Sequence, residues 1–246
     1  MKIIQITDLH IGKPGRLVHG IDVREHLLRV LTRVEAHQPD LVAVTGDLCL
    51  MRGKTKIYRW MKAQFDRLEI PVKVIPGNHD SAKKMAKVFG MENLLHDGEL
   101  YYRTDDGLIF LDTGKGSMSG TQLDWLQSLI EENPNTPKNI FMHYPPALAG
   151  SKYMDSKYPL RQTKRIQEIL HENKTHVSIF CGHYHIAKTV HVNNIAVFIT
   201  PATLYEIDQY SAEFKIGHTI PGYRTIELDD ETLITKVHYA RKTKPE

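Results

Sequence analysis

The 246-residue chain is long enough to bury a sizeable core and suits one large domain, or at most two small ones. A hydrophobic content of 41% and a charged content of 25% are ordinary for a soluble globular protein. A net charge of +3 permits an anionic substrate but is too weak to argue for a nucleic-acid binder. The unusual count is 14 histidines, since imidazole is both a transition-metal ligand and a proton carrier near neutral pH.

The chain enters an apolar strand at Lys2 to Ile6 and reaches polar Thr7-Asp8 at once, with no signal-type stretch. Nothing approaches the ~20 apolar residues of a membrane span, so no membrane partner and a cytoplasmic location are expected. Helical spacing of Val23, Leu27, Leu31 and Val34 predicts a helix over 21–37, ended by Pro39. Leu41 to Val44 is a short buried strand stopping at Thr45-Gly46-Asp47. A helix over 54–68 leads to the strand Val72 to Ile75 and the turn Gly77-Asn78-His79-Asp80. A short helix follows over 81–89, with Ser81 placed to cap it and Lys83, Lys84 and Lys87 on an exposed face.

The pattern then changes. Glu99 to Arg103 and Leu108 to Asp112 predict a hairpin across Asp105-Asp106-Gly107, followed by a helix over 120–132. Asn139 to Met142 is a strand ending at His143, and 144–159 reads as a loop rich in Tyr, Pro, Gly and Lys. A helix over 160–173 feeds the strand Val177 to Cys181, which ends at Gly182-His183-Tyr184-His185. Strands near 189–192, 195–200, 223–228 and 233–239 complete the series. Cys49 and Cys181 each sit beside an apolar strand and read as small buried residues in a reducing compartment. Alternating strands and helices followed by hairpins indicate an α/β fold of layered, mixed sheets, with no repeat to divide residues 1–246.

Five apolar runs therefore end in metal-capable residues: Asp8 and His10, Asp47, Asn78 and His79, His143, then His183 and His185. In layered α/β folds the crevice lies outside the carboxyl ends of the strands, so these groups can converge. Each motif alone has a plainer reading as a turn. Together they supply oxygen and imidazole donors and no thiolate, a mixture suited to Mn, Fe, Co or Zn rather than Ca or Mg alone. Seven ligands exceed one open ion but suit two ions sharing a bridging carboxylate, the arrangement that drives in-line phosphoryl displacement. Two dications against two Asp side chains leave a positive centre that binds phosphate without a basic surface.

Asp8-x-His10, Gly46-Asp47, Gly77-Asn78-His79-Asp80, His143 and Gly182-His183-x-His185 resemble the calcineurin-like metallophosphoesterases across nearly the whole chain. The resemblance implies a four-layer sandwich of two mixed β-sheets flanked by helices. It implies that Asp8, His10, Asp47 and His185 hold one metal, and that Asp47, Asn78, His143 and His183 hold the second. The ions would be manganese or iron first, zinc or cobalt next. His79 would contact phosphate and protonate the leaving oxygen, oriented by Asp80, and Asn78, His79 and His183 would meet the substrate.

Leu48-Cys49-Leu50 follows Asp47 where the Ser/Thr phosphatases carry Asp-Arg-Gly, and Leu50 stands where purple acid phosphatases place a Tyr. His79 replaces the Arg usual in the lipid-A-pathway pyrophosphatases, and the length leaves little room for exonuclease caps. Gly20-Ile21-Asp22, His143-Tyr144-Pro145-Pro146, Thr200-Pro201-Ala202-Thr203 and Pro221-Gly222-Tyr223-Arg224 look most like the bacterial cyclic-AMP phosphodiesterases. Those enzymes often have His where Tyr144 stands. The expected activity is therefore hydrolysis of a phosphodiester by metal-activated hydroxide, with 3′,5′-cyclic AMP as substrate and 5′-AMP as product. A glycerophosphodiester or broad-specificity enzyme is the alternative, ahead of a nuclease or a non-catalytic scaffold. Tyr144, Tyr153 and Tyr158 are candidates for stacking on a base, and Lys13 and Arg16 for reaching phosphate. The stretch after Pro201 could complete a sheet, cap the site or form a homodimer contact.

Overall fold

The computed structural model describes residues 1–229 and 231–242. Strands β1 (Lys2–Ile6), β2 (Leu41–Thr45) and β3 (Val72–Ile75) run parallel, joined by helices α1 (Val23–Ala36) and α2 (Thr55–Phe65). Parallel neighbours need such crossovers, and their strands are buried on both faces, which explains the nearly continuous apolar runs. Asp22 caps α1 by accepting from the Arg24 and Glu25 amides, and Val23, Leu27, Val30 and Leu31 pack inward. After β3 comes α3 (Ala82–Phe89), with Ser81 at its N-cap position but making no side-chain cap bond. Lys83, Lys84 and Lys87 are exposed on it as expected.

The next strands are β4 (Leu95–His96), β5 (Glu99–Leu100), β6 (Tyr102–Arg103) and β7 (Ile109–Phe110). The expected hairpin is divided. β6 pairs with β7 across the Asp105–Gly107 turn, but β5 pairs back with β4 in a separate ribbon. Then follow α4 (Gly120–Glu132), β8 (Lys138–Phe141), α5 (Lys152–Lys157), α6 (Thr163–His171) and β9 (Val177–Cys181). The short α5 lies inside the stretch expected to be loop. The remaining strands are β10 (Lys188–Val192), β11 (Ile195–Ile199), β12 (Gly222–Leu228) and β13 (Leu233–Tyr239).

These strands form two mixed sheets flanked by helices, in the orders β13-β12-β1-β2-β3 and β10-β11-β9-β8-β7-β6. The segment after Pro201 thus completes the first sheet, with β12 antiparallel to β1. Tyr102, Phe110, Phe141, Phe180 and Phe198 occupy facing positions on successive strands of the second sheet and stack at ring separations of 4.8–5.2 Å. Tyr102 reaches across to donate to the Val74 carbonyl of β3, and Arg224 of β12 lies over Phe198, so the ladder sits between the sheets.

A polar seam crosses the same interface. Gln5 donates to Thr45 Oγ1 and to the Cys181 carbonyl, while buried Arg224 donates to Thr200 Oγ1 and the Ile199 carbonyl. Burial of these polar groups is tolerated because each is hydrogen-bonded. Both cysteines are buried and free. Among the described residues no helix is long and apolar enough to cross a membrane.

Candidate metal centre

The carboxyl ends of β1, β2, β3, β8 and β9 meet at one edge, and their loops continue the pairing of the strands. The Asp8 amide donates to the Gly46 carbonyl, His10 to Asp47, and Ile11 to Leu48, zipping the first two ligand-bearing loops together. Gly182 donates to the His143 carbonyl and joins the other two. A cross-link between the sheets comes from the His183 amide, which donates to Asp8 Oδ2 at 3.0 Å.

These loops hold Asp8, His10, Asp47, His183 and His185 at φ of 54°, 45°, 51°, 65° and 55°. The left-handed region costs a non-glycine residue about 1–3 kcal/mol and persists only where surrounding contacts over-determine it. Two glycines make room for the result. A methyl group at Gly77 would run into the Asp47 amide and Oδ1 and stand 2.8 Å from His143 Nε2. One at Gly182 would strike Thr7 Oγ1 and lie 2.5 Å from Asp8 Oδ2.

The donor atoms gather into overlapping groups, each within 4.8 Å: Asp8, His10 and His185; Asp47, His143 and His183; and His10, Asp47 and His79. Asp47 stands between the first two. Its Oδ2 lies 3.5 Å from His10 Nε2 and its Oδ1 3.5 Å from His143 Nε2, so one carboxylate faces both sides. Asp8 Oδ2 accepts from Thr7 and His183, leaving Oδ1 3.3 Å from His185 Nε2. Asn78 is exposed on the wall of the same cleft, beside His79. All seven candidate ligands and His79 are therefore at one place.

Backbone carbonyls set the imidazole tautomers. A carbonyl only accepts, so the nitrogen facing it carries the proton and the other keeps its lone pair. His143 Nδ1 donates to Thr45 O at 2.8 Å and His185 Nδ1 to Tyr205 O at 3.0 Å. His183 is reversed, with Nε2 donating to Tyr158 O at 3.1 Å. Such outer hydrogen bonds are the usual means of orienting metal-ligating histidines.

Electrostatics points the same way. Burial lowers His10 to about 4 and His183 to about 3, keeping both neutral. Burial works against ionised Asp8, but His185 and His143 bring its carboxyl down to about 2. Asp47, also opposed by burial, is held well below the usual carboxylate range by His143, His10 and His79. For His143, burial is outweighed by Asp47 and Asp8, which push it up to about 9. Two ionised carboxylates thus face the neutral imidazoles of His10 and His183 and a His143 ring that holds its extra proton at neutral pH until a cation takes that proton's place. Asp8 Oδ1 and His143 Nε2 are buried without any hydrogen-bond partner. Buried polar atoms are rarely left so, and a cation satisfies both. The donor set fits divalent transition ions.

Three expectations change. Asp80 does not touch the His79 ring, whose Nδ1 donates instead to the Leu50 carbonyl at 2.8 Å. The Asp80 carboxylate accepts from the Leu48, Cys49 and Gly77 amides and the Tyr58 hydroxyl, so it fastens the turn that presents Leu50. Tyr144 is buried, with its ring stacked 3.7 Å from that of His183, and supports that candidate ligand rather than facing a base. Lys13 and Arg16 are exposed and do not line the cleft. The cleft, of about 390 Å³, is also lined by His19, Leu50, Tyr205 and Phe214, which the strand-end pattern did not single out.

Residues 1–187 match the family model described as Calcineurin-like phosphoesterase. The chain is 36% identical over 245 residues to a protein of Fibrobacter succinogenes named "Probable cyclic nucleotide phosphodiesterase", covering 98% of this chain and 94% of that one. It is 26% identical to the 3′,5′-cyclic adenosine monophosphate phosphodiesterase CpdA of Escherichia coli K12, over 99% of this chain and 91% of the other. Among solved structures, a dimetal phosphatase from Danio rerio shares the fold with a TM-score of 0.72 at 12% identity, covering 98% of this chain and 96% of that one. Family model, long-range identity and strand-end ligand geometry agree: the chain belongs to the calcineurin-like phosphoesterase family and is a metal-dependent phosphoesterase.

Proposed function

We propose that the protein hydrolyses 3′,5′-cyclic AMP to 5′-AMP at a dinuclear centre. Asp8, His10, Asp47 and His185 hold one divalent ion, and Asp47, Asn78, His143 and His183 the other, with manganese or iron the preferred metals. The observation that carries this reading is the placement of Asp47, whose two oxygens face histidines of different groups. The names of the relatives that align along nearly the whole chain support the cyclic nucleotide as substrate. When bound, the ions polarise the phosphoryl group and lower the pKa of the attacking water.

The chain's own residues do the rest. Asn78 and His183 line the cleft where phosphate would lie and orient it. His79 keeps Nδ1–H on the Leu50 carbonyl, so Nε2 faces the cleft, and in its protonated form it delivers a proton to the departing 3′ oxygen. Glycerophosphodiesters are the competing substrate class.

Purified protein supplied with Mn²⁺ should convert cyclic AMP to 5′-AMP, bind two metals per chain, and lose activity on chelation. Cleavage of glycerophosphocholine with cyclic AMP untouched would sink the substrate assignment. Full activity after exhaustive chelation would sink the metal reading.

A further inference from the structure

Beside the candidate ligands, the cleft has a wall made of aromatic rings from chain-remote segments, with Tyr205 5.3 Å from the His185 ring. His19 comes from the loop after β1, Tyr153 and Tyr158 from α5 and its end, and Tyr205 and Phe214 from the stretch between β11 and β12. The rings form a connected set. His19 stands 5.6 Å from Tyr205 and 5.9 Å from Phe214, and Tyr153 lies 5.9 Å from Phe214 and 5.7 Å from Tyr158.

Phe214 is the notable member because it is 42% exposed yet held in place. It lies at the base of a turn, next to the closing residue Lys215, where Asp208 N donates to Lys215 O and Glu206 N to His218 O. Gln209 ties that turn to α5 through the Lys152 amide and to β10 through the Lys188 ammonium. An exposed phenyl on an anchored turn is a preorganised surface, which lowers the ordering cost of binding.

We propose that Phe214, flanked by Tyr153 and His19, is the stacking surface for the planar base of a nucleotide whose phosphate sits at the metal centre. This rests on the phosphodiesterase reading above and names the residues that select a nucleoside ester over a glycerol ester. The cleft opens continuously from the phosphate end to this wall. Among the described residues no Lys, Arg or Glu lines it, so recognition there is by ring faces and apolar neighbours such as Leu204 and Ile207. Aromatic faces accept bases largely without regard to their hydrogen-bonding edges. Among purines and pyrimidines, discrimination at this wall is therefore expected to be modest.

The test uses metal-loaded protein and two non-reacting probes, 5′-AMP and ribose 5-phosphate, which share a phosphate but differ in the base. Calorimetry should show wild type binding 5′-AMP more tightly. Phe214→Ala should weaken 5′-AMP by about tenfold, the scale of losing one base–aromatic stack, with ribose 5-phosphate unchanged. Phe214→Trp should restore it, and KM for cyclic AMP should follow the same order. Equal affinity of wild type for the two probes overturns the proposal, as does an equal loss for both probes in Phe214→Ala. A tenfold loss confined to choline-bearing esters also overturns it, because it would make the wall an ammonium cage. If the probes behave as expected but cyclic AMP is not cleaved, the stacking surface stands and the substrate assignment falls.

Discussion

Replacing Asp80 with asparagine tests whether His79, the proposed proton donor, is positioned through the backbone. Each Asp80 oxygen accepts two donors: Oδ1 from the Cys49 amide and the Tyr58 hydroxyl, Oδ2 from the Leu48 and Gly77 amides, at 2.9–3.1 Å. Burial and nearby Asp47 push this carboxyl up to about 6 against the pull of those amides, so it is ionised at neutral pH. Asparagine keeps one acceptor oxygen, and whichever way it turns its amide group faces at least one backbone amide that can only donate. Hydrogen bonds to a charged group are worth about 1.5–3 kcal/mol each, and losses within one cluster are not additive, so about 3 kcal/mol is expected. For a chain of this size that lowers the melting temperature by roughly 6–12 °C. Loosening the Leu48–Leu50 turn frees the carbonyl that holds His79 Nδ1, and turnover should fall by at least ~10-fold, within the range a positioned general acid contributes. Thermal melts, kinetics at saturating substrate and metal content by elemental analysis are measured on the same preparation. A melting temperature within 2 °C of wild type refutes the energetic argument. A turnover loss that tracks metal loss refutes the positioning argument.

Two further outcomes follow from the site. Gly77→Ala would drive a methyl group against the Asp47 amide and Oδ1 and toward His143 Nε2, so bound metal should drop by at least half while the far-UV circular dichroism is retained. Chelated protein should lose stability between pH 6.5 and 9. The folded-state value of His143, about 9, lies above its unfolded 6.5, so the stabilisation is full below pH 6.5 and lost as pH rises through 9. Asp47, Asp8, His183 and Tyr144 are the titratable groups that face this ring, and His143→Asn should flatten the profile. Metal-loaded protein should lack that fall, since the cation then replaces the proton.

The candidate ligand set was legible because strand ends advertise themselves: an apolar run stops and a polar donor begins, as at Val44 to Asp47 or Cys181 to His185. The sheets followed from the same runs. What stayed hidden depends on proximity that no local pattern records. Asp80 is next to His79 in sequence, yet two of its partners lie about thirty residues earlier in the Leu48–Cys49 turn. Helix α5 spans 6 residues, too short for an apolar period to show. The Tyr102-to-Phe198 ladder needs the register of five strands before its members become neighbours. Phe214 and His19 lie far apart in sequence and reveal nothing until the turn before β12 folds over the cleft.

The antiparallel pairing of β1 with β12 constrains the order in which the chain can be assembled. Ile3 faces Ile226 and Ile4 faces Thr225, so β1 receives this neighbour from a segment made more than 200 residues after it. Until then β1 can pair only with β2, and its other edge offers unpaired amides and carbonyls to any passing strand. At ~5–20 residues per second on the ribosome, that exposure lasts roughly 10–40 s. All the candidate metal-binding side chains emerge before the edge is closed. Ion capture during synthesis would then precede completion of the sheet and hold the two halves together while the nascent chain waits for β12.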